Sequence, residues 1–136
     1  VYLVYHPEGD EAEQRWAYDP LKLRATEREM LERQTGENFA EFTGKVLQGN
    51  ARCRRALLFL FLRREHPRVK FDDVDFGWDE LRLEYSRQEL GQMREQVAER
   101  MSGDDRDAAL ARLDQEIETA YDDADAEGKA RLPIAD

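Results

Sequence analysis

The chain has 136 residues, 38% of them charged, and a formal net charge of −10. That length predicts one domain with a real core, and the acidic balance argues against a free-standing nucleic-acid binder, which needs net basic surface. A bilayer span takes about 20 apolar residues in a row, whereas the longest run here, Ala56 to Leu62, has seven.

The opening "VYLVYHPEGDEAEQRWAYDP" lacks the basic start of a secretory leader, so a soluble cytoplasmic protein is expected. Two short runs rich in Tyr, Val and Trp flank a Pro- and Gly-bearing turn, which predicts a β-hairpin over residues 1–19. Asp19-Pro20 ends it. Amphipathic spacing then predicts a helix at about 24–35, with Gly36 as the left-handed residue past its end. A second helix is expected at 38–48, with Asn38 and Glu41 as a capping box and Phe39, Phe42, Val46 and Leu47 on one stripe. Gly49 closes it.

Asn50 caps a third helix, 50–65, stopped by Pro67. Its segment Ala56–Leu62 is apolar all round, the mark of a helix enclosed by other elements. One face, carried by Leu58, Phe59 and Leu62, is expected to stay open for a partner, with Arg52, Arg55 and Arg63 as its basic rim. Residues 68–79 read as extended or turn-like, and a fourth helix is expected over 79–101, the alternative being that the extended part runs on to Leu83. A globular body of residues 1–101 is therefore predicted.

Residues 102–136 form an acidic tail, helical in part and otherwise disordered. Leu110, Leu113, Ile117 and Tyr121 make a narrow stripe on it. Lys45 to Lys70 carries eight basic residues and one acid, while Ser102 to Asp136 carries eleven acids and four basic residues. Opposite charge leads to the expectation that the tail is a mobile cover for, or bridge to, the basic middle, the alternative being that the stripe packs into the core as a permanent last helix. The fold class is thus mainly α: a small helical bundle with an N-terminal β-hairpin and an acidic C-terminal helix or tail, α+β being the alternative.

No metal site, cofactor or catalytic set emerges. His6 and His66 are far apart in sequence, with no Cys or second His at ligand spacing. Cys53 reads as a small apolar residue on a helix face. Asp72, Asp73 and Asp75 lack the ligand order of an EF-hand. A small enzyme or nuclease using those aspartates with Arg63 and Arg64 lacks a nucleophile with its base. An acidic DNA mimic is opposed by the basic middle.

Trp16-x-Tyr18-Asp19-Pro20, Leu31-Glu32-x-x-Thr35-Gly36, Phe39-x-x-Phe42, Leu47-x-Gly49, Ala56-Leu57, Pro67 and Phe71-Asp72-Asp73-Val74-Asp75-Phe76 together resemble the tail assembly chaperones of long-tailed actinobacterial phages. The resemblance covers roughly residues 14–80, and the tail from Ser102 departs from it. It implies a non-virion protein of the infected host's cytoplasm that binds the tape measure protein. The client is thereby kept soluble while the tail tube assembles, by protein–protein interaction without catalysis. It also implies other tail proteins as partners, self-association, and a longer frameshifted form. The alternative from another class is a virion structural component, a tail-completion or connector protein, using the same helices for permanent ring contacts.

Overall fold

The computed structural model describes residues 1–9 and 12–123. It shows a mainly helical small protein with an open three-stranded antiparallel sheet near its N-terminus and helices toward its C-terminus. Two compact units are present, Tyr2–Leu83 and a second made of Val1 with Glu84 onward.

Strands β1 (Tyr2–Tyr5) and β2 (Gln14–Ala17) form the expected antiparallel hairpin, with Leu3 opposite Trp16 and Val4 opposite Arg15. Asp19 caps a single 3-10 turn at Pro20–Lys22, its carboxylate accepting from the Leu21 amide at 3.0 Å. Pro20 suits the first position of such a turn, where no amide is needed. Helix α1 (Ala25–Thr35) ends on Gly36 at φ 71°, the left-handed conformation that favours glycine.

Helix α2 (Phe39–Leu47) begins at Asn38, yet the Asn38 side chain makes no cap bond. Glu32, in the last turns of α1, reaches across to accept from the Phe39 amide at 2.9 Å. One carboxylate therefore joins two helices where a capping box was expected. Helix α3 (Ala51–Glu65) is capped by Asn50, whose side chain accepts from the Cys53 amide at 2.9 Å.

Helix α3 is the hub of the first unit: α1 and α2 pack on it and on each other. Cys53 and every residue from Ala56 to Phe61 are buried, each large apolar side chain contributing roughly 1.5–3 kcal/mol by leaving water. Trp16 lies flat on Phe61, ring centroids 5.5 Å apart and planes within 2°. Tyr18 is buried beside α2, its hydroxyl 2.7 Å from Thr43 Oγ1. The sheet is thus seated on the helices through its aromatic residues.

The expected helix over 79–101 is corrected. Trp78–Glu80 is a 3-10 turn and Leu81–Glu84 is strand β3, which joins the other edge of β1 to give the order β2-β1-β3. The His6 amide donates to the Glu80 carbonyl at 2.8 Å. Leu81 is buried while Arg82 points outward, so this segment follows a period of two rather than 3.6. Helix α4 (Arg87–Arg100) starts only at Ser86, which exchanges cap bonds with Glu89 in both directions.

Helix α5 (Gly103–Thr119) follows after two residues and pairs with α4. Arg94 bonds Asp114 at 2.7 Å, Arg106 donates to the Ala98 carbonyl at 3.2 Å, and the Arg87 amide donates to the Tyr121 carbonyl at 2.7 Å. That order makes the pair antiparallel. Leu113, from the predicted stripe, is buried. The stretch expected to be a mobile acidic tail is therefore, through Thr119, one arm of a helical hairpin. The disorder expected over residues 122–136 begins at Asp122 and Asp123, which bond Gln88 at 3.2 and 3.0 Å; residues 124–136 lie outside the described residues.

The two tryptophans differ sharply in setting. Trp16 is stacked and half-buried, while Trp78 is 52% exposed. A Trp78→Phe variant should emit at short wavelength and resist acrylamide quenching. A Trp16→Phe variant should emit at longer wavelength and be quenched readily. Matching spectra from the two variants would contradict this placement of the hairpin.

Candidate partner-binding surface

The residues expected at a partner site divide into separate groups. Leu58 and Phe59 are buried, 0% and 4% exposed, so the expected open face of α3 does not exist. An all-apolar turn of helix has no outer side when α1, α2 and the chain after Pro67 surround it. Leu62 is half-buried and Arg63 exposed at the far end of α3. Arg52 lies eleven residues earlier, about 16 Å away along the axis.

The arginines of the basic middle hold the unit together. Arg55 donates through Nε to the Val74 carbonyl at 2.5 Å and through a terminal nitrogen to the Phe71 carbonyl at 2.8 Å. Its guanidinium also lies 4.0 Å from the Phe71 ring centroid. Arg52 donates to the Gln34 carbonyl at 2.5 Å, and Arg54 to the Val46 carbonyl at 2.9 Å. Helix ends and turns leave carbonyls without partners, and charged donors satisfy them well. The expected cover for these charges is not needed: much of the basic surface already serves backbone within its own unit.

Two surface features bear on partner binding. A shallow cleft of about 330 Å³ between α1 and α3 is lined by Glu27, Met30, Arg33, Leu60, Arg63 and Arg64, with Thr26. Arg64 grips Glu27 through two bonds of 2.8 and 2.9 Å. That pairing is the main cause holding the Glu27 carboxyl below its ordinary value. Met30 and Leu60 form the floor but are almost wholly buried, so little apolar surface is offered.

The second feature is the segment after Pro67. Phe71 turns inward and meets Phe59 edge-on at 5.6 Å, and Val74 is buried. Arg55 clamps this stretch from α3. Beyond it, Phe76 and Trp78 stack at 6.0 Å with planes 24° apart. The Arg54 guanidinium stands 5.1 Å from the Trp78 ring centroid while donating to Val46. Gly49, at φ 89°, passes under Trp78: a Cβ built there would lie 3.7 Å from the ring. Leu47, 42% exposed, belongs to the same end of α2. Asp72, Asp75 and Asp79, in the same stretch of chain, are exposed. Sequence reasoning passed over Trp78. Its signal was a tryptophan between Gly77 and Asp79 in an acidic stretch, a poor place for a core residue.

Cys53 is buried, and burial pushes its thiol pKa up, the opposite of what a nucleophile needs. Among the described residues no group of three or more His, Cys, Asp or Glu is placed to hold a metal ion, and no helix is long and apolar enough to cross a membrane. No protein-family model matches the chain, and neither a curated protein nor a solved structure matches it.

Proposed function

We propose that this chain is a tail assembly chaperone, which binds the tape measure protein in the host cytoplasm and keeps it soluble while the tail tube is built. It acts by binding alone, without catalysis or cofactor, and is left out of the finished particle. The observation that supports this reading best is Trp78: half exposed, yet held by Phe76 and Arg54. A large aromatic fixed at the surface is a binding group, because it brings apolar area to a partner with little loss of side-chain freedom. A long helical client with apolar stripes aggregates when naked, so it needs such a contact beside charges that maintain solubility.

The residues carrying the resemblance fit this reading as scaffold. Trp16 and Tyr18 seat the sheet, Asp19 caps the turn after it, Gly36 and Gly49 end helices, and Phe71 locks the segment that presents Trp78. Co-expression with the tape measure protein of the same phage tests the proposal. The client should move from the pellet to the soluble fraction and co-purify with this chain, which should be absent from purified virions. An insoluble client would overturn the holding role. A fixed copy number in particles would instead make the chain a connector.

A further inference from the structure

We infer that the Trp78 surface takes a basic amphipathic protein segment, one apolar side chain of which packs on Trp78 while neighbouring Lys or Arg residues meet Asp72 and Asp79. This deepens the holding role proposed above and rests on it for the identity of the natural client.

Geometry supplies the anchor. Tryptophan and arginine dominate the energetics of protein interfaces when they are ordered before the partner arrives. Trp78 is ordered by its stack on Phe76 and by Arg54, whose own position is fixed by the Val46 carbonyl. Charge supplies the selectivity. Residues 71–80 hold five acids and no base. Three of the five are engaged locally: Asp73 accepts from the Lys70 amide, Asp75 from the Phe76 amide, and Glu80 from the Gly77 and Glu8 amides. Asp72 and Asp79 are exposed and make no described hydrogen bond or ion pair. Carboxylates placed this way steer cationic partners and reject anionic ones.

The test uses the full chain labelled with 5-fluorotryptophan, so that Trp16 and Trp78 report separately by fluorine NMR. The probes are three synthetic 14-residue helical peptides: Leu/Lys, Leu/Glu and Ala/Lys. The Leu/Lys peptide should shift the Trp78 resonance and leave Trp16 unmoved, while the other two bind at least tenfold more weakly. Trp78→Ala should weaken Leu/Lys binding at least tenfold. Asp72→Asn with Asp79→Asn should weaken it several-fold at 0.05 M salt, a difference that closes toward 0.5 M as screening removes it.

Equal binding of the Leu/Lys and Leu/Glu peptides would overturn the inference, as would a shift at Trp16 alone. So would a self-association in sedimentation that Trp78→Ala abolishes. The labelled wild-type titration decides the matter even if Trp78→Ala fails to fold. Failure here is separable from failure of the role. If wild-type and Trp78→Ala chains keep the tape measure protein equally soluble, the surface is wrong and the role stands. If the peptide binds at Trp78 but that protein stays insoluble, the role is wrong and the surface stands.

Discussion

Leu57→Asp is expected to abolish the cooperative unfolding transition of the Tyr2–Leu83 unit. Leu57 is fully buried in the middle of α3, the helix on which both α1 and α2 pack. An aspartate there would place a carboxylate among apolar neighbours, with the backbone of α3 already engaged in its own hydrogen bonds. Burying such a group costs several kcal/mol, and the lost apolar burial adds to that. A domain of this size has about 5–15 kcal/mol in total. Arg63→Ala is the control: exposed on the same helix, it should change stability by no more than about 0.5 kcal/mol. Circular dichroism during heating reads both. A melt of Leu57→Asp that superimposes on wild type would remove α3 from the centre of the fold.

What made α3 legible is that three independent signals agree on it. Asn50 supplies the cap, Ala56–Leu62 supplies a run too short for a membrane but right for a core, and Pro67 enforces the stop. Gly36 and Gly49 were equally readable, because few other residues tolerate the backbone they adopt. Strand β3 was not. Leu81 and Leu83 give two alternations only, and they sit between a turn and a strongly helical stretch, so local pattern favours extending the helix. The deciding partner, the free edge of β1, lies some 75 residues earlier in the chain. Tertiary pairing overrides local propensity in such cases.

The arginines show a second kind of limit. Charge can be counted in a sequence, but its partner cannot. Eight basic residues between Lys45 and Lys70 look like an open cationic field. In the fold, Arg52, Arg54 and Arg55 donate to carbonyls of Gln34, Val46, Phe71 and Val74, and Arg64 closes on Glu27. Helix ends create those acceptors, and their positions depend on packing. The same blindness put Leu58 and Phe59 on an open face and overlooked Trp78, a large aromatic that is 52% exposed.

Deleting residues 102–136 is expected to melt α4 as well as remove α5. Helix α4 has 14 residues, a length at which an isolated helix is marginal in water, and Gly91 in its interior lowers its helical preference by about 1 kcal/mol. What sustains α4 is α5: Leu113 is buried, Arg94 pairs with Asp114, and Arg87 donates to the Ile117 and Ala120 carbonyls at 3.3 Å. The exposed pair is worth under about 1 kcal/mol and is screened by salt, whereas the apolar contact is not. The truncated chain should therefore lose the helical signal of both the 17 residues of α5 and the 14 of α4. The loss should be the same at 0.05 and 0.5 M salt. Trp16 emission should stay at its native wavelength, since its stack on Phe61 belongs to the Tyr2–Leu83 unit. Two results would count against this account. If α4 keeps its helical signal, the hairpin is not what folds it. If the loss fades as salt rises, charge pairing rather than apolar burial holds α5 in place, which is the behaviour expected of an acidic tail.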